Sequence, residues 1–143
     1  MKIEINAYAP FRSGWYETFV SAERGCKHIG LNGARERVRQ YQIDGGVLPK
    51  GQQPERCDYL LINDDRRSAY FIELKGSDLK KAIAQIETSV QMIAASLPGH
   101  TFYKRIIYHT GTKAMQNSDV LKWKKRNAGR ALIKLKEWTE SIN

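Results

Sequence analysis

Apolar residues along this chain follow two rhythms, alternation or short unbroken runs in some stretches and a three-to-four spacing in others. Residues 2–8 alternate and read as a short edge strand closed by Pro10. Ser13 can cap a helix over 14–25, with Trp15, Tyr16, Phe19 and Val20 on one face. Gly25, Gly30 and Gly33 then break regularity. Residues 36–43 alternate as a strand until Asp44-Gly45-Gly46, and 47–56, with Pro49, Gly51 and Pro54, reads as a loop.

The next block is the most informative. Cys57-Asp58-Tyr59-Leu60-Leu61-Ile62 is a strand, 63–68 a polar turn, and Ala69-Tyr70-Phe71-Ile72-Glu73-Leu74-Lys75 a second strand. Both are apolar on both faces, as central strands covered on each side should be. After Gly76, either Ser77 or Asp78 can cap a helix over 79–96 whose stripe is Leu79, Ile83, Ile86, Val90 and Ile93. Pro98-Gly99 ends it; 102–109 is a further strand, followed by Gly111. A last helix is expected over 128–141, with Ala131, Leu132, Leu135 and Trp138 inward. The order predicts an α/β layered fold with a mixed sheet, with residues 1–143 as one domain.

Chemistry enters through the 57–75 hairpin. With a turn at 63–68, Ile62 faces Ala69, Leu60 faces Phe71 and Asp58 faces Glu73. Opposed residues on one face lie roughly 5 Å apart at Cβ, so two carboxylates there repel each other and lose hydration. A divalent cation compensates, and Mg²⁺ takes one or two carboxylates plus water and phosphate oxygens. Lys75, two residues past Glu73, shares its face and could orient or deprotonate a water. A register slip of one residue would separate the acids. The bland reading is a solvated pair of strand-end acids with Lys75 as their ion partner.

Asp58 followed by Glu73-Leu74-Lys75 resembles the bipartite signature of the PD-(D/E)xK nuclease superfamily, which includes restriction endonucleases and Holliday-junction resolvases. The likeness covers about residues 13–110. It departs in one place, where Cys57 stands for the leading proline. The resemblance implies a restriction-endonuclease-like three-layer core, a mixed central sheet flanked by helices. It implies Mg²⁺, replaceable by Mn²⁺, held by Asp58, Glu73 and the Leu74 backbone carbonyl, with Lys75 assisting the hydrolytic water. The family often adds an acid from the first helix, for which Glu23 and Glu17 are the candidates. It also often uses a Gln or Lys on the following helix, here Gln85 or Lys81, to meet the site or the phosphate backbone.

Composition sharpens the substrate class. The formal charge is +9 with 27% charged residues, an excess that suits a polyanion. Lys122, Lys124, Lys125, Arg126 and Arg130 could bind phosphates, with Trp123 either stacking a base or in the core. Arg35, Arg37 and Arg39 form either a second basic strip or an edge-strand guard. Cys26, His28 and Cys57 lack the close pairing of a zinc site, and His109 is expected to be packed rather than catalytic. No apolar run reaches the roughly 20 residues of a membrane helix, and the N-terminal residues lack a signal-peptide core, so a cytoplasmic address is expected. The expected activity is Mg²⁺-dependent hydrolysis of DNA, by a monomer or by a homodimer that reaches both strands. The competing expectation is an inactive nuclease-fold module that binds nucleic acid or a protein.

Overall fold

In the computed structural model the described residues are 1–75, 78–110 and 117–143; Gly76, Ser77, residues 111–116 and the Lys75 side chain lie outside them. Ser77, one of the two candidate caps, and Gly111 therefore fall outside the described residues.

A six-stranded mixed sheet forms the centre, in the order β1 (Arg12–Gly14), β4 (Val38–Gln42), β5 (Tyr59–Asn63), β6 (Ser68–Lys75), β7 (Thr101–Tyr108), β8 (Ala131–Leu135). The first four strands pair antiparallel, and β6–β7 and β7–β8 pair parallel. Parallel neighbours need crossovers, and two helices supply them: α1 (Leu79–Ile93) and α2 (Ser118–Arg126). Leu79, Ala82, Ile86 and Ile93 of α1 and Val120 and Trp123 of α2 bury one sheet face with Leu60, Ile62, Phe71 and Ile106. The mixed α/β class matches the expectation. The α1 stripe and the three central strands do too.

The opposite face departs from it. A three-stranded sheet covers that face in place of helices: β2 (Thr18–Glu23) and β3 (Cys26–Leu31) antiparallel, and β9 (Glu137–Ser141) parallel to β3. Phe19, Cys26 and Ile142 pack there on Tyr59, Leu61, Ile72 and Ile107. The helix expected over 14–25 is thus a β-hairpin. Phe19 and Ser21 are buried while Thr18, Val20 and Ala22 are exposed, a period of two. Arg24 (φ 52°) and Gly25 (φ 78°) make the turn, and two consecutive positive φ values suit a two-residue hairpin loop.

The helix expected over 128–141 is likewise two strands. Ala131 and Ile133 alternate inward, and Lys136 at φ 61° breaks the chain between β8 and β9. Residues 2–8 are no strand either. Ile5–Ala7 form a 3-10 turn, Glu4 accepts from Asn6 N–H at 3.2 Å, and Ile3 N–H donates to Met92 O at 2.8 Å. The edge position falls to β1 instead. Among the described residues no helix is long and apolar enough to cross a membrane.

Candidate active site

The β5–β6 hairpin supplies the acids. Its turn is fixed by Asn63, whose Oδ1 accepts from the N–H groups of Asp65 and Arg66 at 3.1 Å each. The Asn63 amide also donates to Ile142 O at 2.8 Å, tying the turn to the second sheet. From there the ladder runs in the expected register, with Ile62 opposite Ala69, Leu60 opposite Phe71 and Tyr59 opposite Ile72.

At Asp58 the ladder changes. Asp58 N–H donates to Ile72 O at 3.1 Å, although Ile72 is already the partner of Tyr59. Two residues of one strand therefore address one residue of the other, the arrangement of a β-bulge. The bulge turns Asp58 so that its Oδ2 accepts from Leu74 N–H at 2.8 Å. Leu74 is the residue between Glu73 and Lys75, so the first acid is held against the backbone that carries the second. The two-against-one pairing replaces the simple opposition of Asp58 and Glu73 that an unbroken ladder would give. Glu73 is fully buried, and Asp58 retains 8% exposure. The backbone of Lys75 continues β6, while its side chain lies outside the described residues.

The chain entering Asp58 is fastened to α1. Cys57 N–H donates to Ser89 Oγ at 2.8 Å, Ser89 Oγ donates to Gln85 O at 2.9 Å, and Gln85 Nε2 donates to Arg56 O at 3.3 Å. Arg56 is itself buried, its guanidinium donating to the carbonyls of Pro49, Gln52 and Pro54 and lying 3.1 Å from Asp44. This cage organises the 47–56 loop, which has the irregular structure expected. Burial pushes the Cys57 thiol well above its ordinary pKa, and the charges of Glu73 and Asp58 push it the same way.

Of the two N-terminal acids, the fold brings one to this end of the sheet. Burial raises the Tyr59 hydroxyl pKa, and the charges of Glu23 and then Asp58 raise it further. Glu23 stands at the end of β2 rather than on a helix, 3.4 Å from Lys50 Nζ. Glu17 lies elsewhere, paired with Arg35 at 2.6 Å. His109 is exposed, not packed in the core, and its ring lies close over Gly25.

The nucleic-acid candidates divide. Gln85 is buried and engaged with Arg56, a position that supports the loop rather than meeting a phosphate backbone. Lys81 is partly exposed and 3.3 Å from Glu55. Lys122, Lys125 and Arg126 are exposed on α2, Lys124 is half-buried, and Arg130 is exposed just beyond. Trp123 cannot stack a base. It is 1% exposed, and its Nε1 donates to Glu87, which also binds Lys104 at 2.6 Å. Arg39 is locked in a two-armed pair with Asp64, at 2.9 Å on each arm, so the alternating arginines are not one free strip. Cys26 and His28 pack on the β2–β3–β9 side and Cys57 on the helical side, which separates those three side chains.

A polar cluster that the sequence did not reveal lies between the two sheets. His28 Nε2 is 2.8 Å from Glu140 Oε2, and the Arg105 guanidinium grips the same carboxylate at 2.7 and 3.0 Å. Burial alone would raise the Glu140 pKa, but the His28 and Arg105 hydrogen bonds overcome it and hold the carboxyl at about 2. Reading 26–31 as a strand would have placed His28 inward with Cys26 and Gly30, the one signal available. Compared with known proteins, the chain matches no family model, and no curated protein or solved structure is detectably similar to it.

Proposed function

We propose that this protein is a Mg²⁺-dependent nuclease hydrolysing DNA phosphodiester bonds on a restriction-endonuclease-like core in which the β2–β3–β9 sheet stands in place of one helical layer. The observation that carries the reading is the bond from Leu74 N–H to the Asp58 carboxylate, on a hairpin whose other acid, Glu73, is fully buried. Burying a carboxylate is costly unless a hydrogen bond or an opposite charge compensates. Two on one hairpin end suit a cation-binding role better than a structural one.

The donor set fits magnesium. Both candidate ligands are carboxylates, hard oxygen donors, and Mg²⁺ uses one or two of these and fills its octahedron with water and phosphate oxygens. Among the described residues no group of three or more His, Cys, Asp or Glu is placed to hold an ion, so an all-protein cage is not what this site offers. Asp58 and Glu73 would hold the ion with the Leu74 carbonyl. A bound Mg²⁺ supplies charge to polarise the scissile phosphate and acidifies a coordinated water.

The chain's own groups do the rest. The Leu74 N–H fixes the Asp58 carboxylate, so this acid is pre-oriented before substrate arrives. Lys75 would orient the attacking water or neutralise charge growing on the phosphate. Gln85 and Ser89 hold the Arg56–Cys57 segment in place, which makes them positioning residues. Glu23, whose charge acts on Tyr59 as that of Asp58 does, would add negative charge near the site.

The test is incubation with plasmid, linear, single-stranded and branched DNA and with RNA, with and without Mg²⁺. Magnesium-dependent cleavage of DNA is expected, lost in Glu73→Gln and in Lys75→Ala while circular dichroism shows the fold retained. Full magnesium-dependent cleavage by either variant would remove these roles. Calorimetric titration with Mg²⁺ separates an enzyme from an inactive binding module, since the latter would give no heat dependent on Asp58.

A further inference from the structure

Every exposed large aromatic side chain among the described residues lies between positions 8 and 16. Phe11 is 62% exposed, Trp15 58% and Tyr16 47%; Phe11 directly precedes the edge strand β1, and Trp15 and Tyr16 lie in the segment that leads from it to the second sheet. Aromatic rings normally dominate cores, and three left in water side by side mark a surface with a partner. Arginines accompany them. The Arg12 guanidinium lies 3.7 Å from the Tyr16 ring centroid, and that of Arg37 lies 5.3 Å from the Trp15 ring. Arg12 and Arg35 line an open hollow of about 630 Å³ beside Trp15 and Tyr16. The one carboxylate in that hollow, Glu17, is paired with Arg35 in an exposed and hence weak ion pair.

This surface reaches the candidate active site. The Phe11 ring meets Tyr59 edge-on at 6.3 Å, and Tyr59 directly follows Asp58. From Phe11 the chain runs away from the acids, and four extended residues to Trp15 cover about 13 Å. The rings thus form a short track that starts at the acids' end of the sheet.

We propose that this edge binds an unpaired nucleic-acid strand, its bases stacking on Phe11, Trp15 and Tyr16 and its phosphates meeting Arg12, Arg35 and Arg37. The proposal deepens the nuclease reading and rests on it, because it names the form of substrate delivered to Asp58 and Glu73. The chemistry selects this occupant. An aromatic face accepts any unstacked base, and guanidinium groups both neutralise phosphate and stack. A duplex keeps its bases inside and offers only phosphates and groove edges, so it would leave the rings unused.

The experiment measures binding of a fluorescent twelve-nucleotide oligo-dT and of a twelve-base-pair blunt duplex by anisotropy in EDTA, which removes cleavage from the readout. Wild type is expected to bind the single strand, with quenching of its tryptophan fluorescence. Trp15→Ala with Tyr16→Ala should weaken oligo-dT binding at least tenfold and duplex binding less than threefold. Trp15→Phe should keep most of the affinity and lose the quench, since of the other two tryptophans Trp123 is buried and Trp138 is half-buried on β9 under Lys134, 4.2 Å from its ring centroid; this variant covers the case in which the double variant folds poorly. Equal losses on both nucleic acids, no loss on either, or no oligo-dT binding by wild type would overturn the proposal. So would sedimentation showing that this edge pairs two copies of the chain. Binding with quench but without magnesium-dependent cleavage would sink the nuclease reading alone. Cleavage of single strands unchanged in the double variant would sink the platform alone.

Discussion

Glu140 accepts hydrogen bonds from His28 and from two nitrogens of Arg105, beside the stacked rings of Tyr70 and Tyr103. Its carboxyl is held at about 2 against an ordinary 4.5, so the folded state binds the proton more weakly than the unfolded chain does. That contribution is present above about pH 4.5 and disappears as the pH falls towards 2, and it is on the order of 3 kcal/mol. Urea midpoints should therefore drop across that window in wild type and stay much flatter in Glu140→Gln. At neutral pH the same variant should cost roughly 3 kcal/mol, because Arg105 is left buried with its charge uncompensated. An acid loss as steep in the variant as in wild type would assign it to other carboxylates. At this scale the candidate site was more legible than the cluster. Asp58, Glu73 and Lys75 stand out as charged residues in apolar runs, whereas His28, Arg105 and Glu140 meet only after three separate strands are brought together.

Elements were legible where burial was uniform. The β5–β6 hairpin and α1 read correctly because two apolar faces or one apolar stripe leave few alternatives. Residues 14–25 misled because Trp15, Tyr16, Phe19 and Val20 happen to fit a helical face, yet three of the four are exposed. Their apolar character belongs to a surface, and the folding information sat in the Arg24-Gly25 turn and in the alternation of Phe19 with Val20. The bulge at Asp58 could not be read at all, since a local extra residue leaves no periodic trace. Directly after the acids, α1 opens on Asp78, whose Oδ1 accepts from Lys81 N–H at 3.0 Å. Asp78→Ala should lower stability by about 1 kcal/mol in urea unfolding, the usual worth of an N-cap. An unchanged midpoint would mean that the first turn of α1 finds its cap elsewhere.

For the whole molecule, two surfaces among those that carry the +9 charge differ in recognition chemistry. Around β1, arginines stand against aromatic rings; on α2, Lys122, Lys124, Lys125 and Arg126 follow the helix without an exposed ring, because Trp123 turns inward to Glu87. The Lys80–Asp119 pair at 3.5 Å sets the start of α2 beside the start of α1, so the basic last turn points away from the end where β6 leaves the sheet. A backbone track there would hold substrate by charge alone, some distance from the acids. Charge alone has a measurable signature: each phosphate neutralised contributes about 0.9 to the slope of log affinity against log salt on duplex DNA. Replacing Lys124, Lys125 and Arg126 together by Ala should reduce that slope by up to about 3 and weaken single- and double-stranded DNA alike. An unaltered slope would make the α2 run a solvated face and leave the edge at β1 as the surface to which the basic charge is directed.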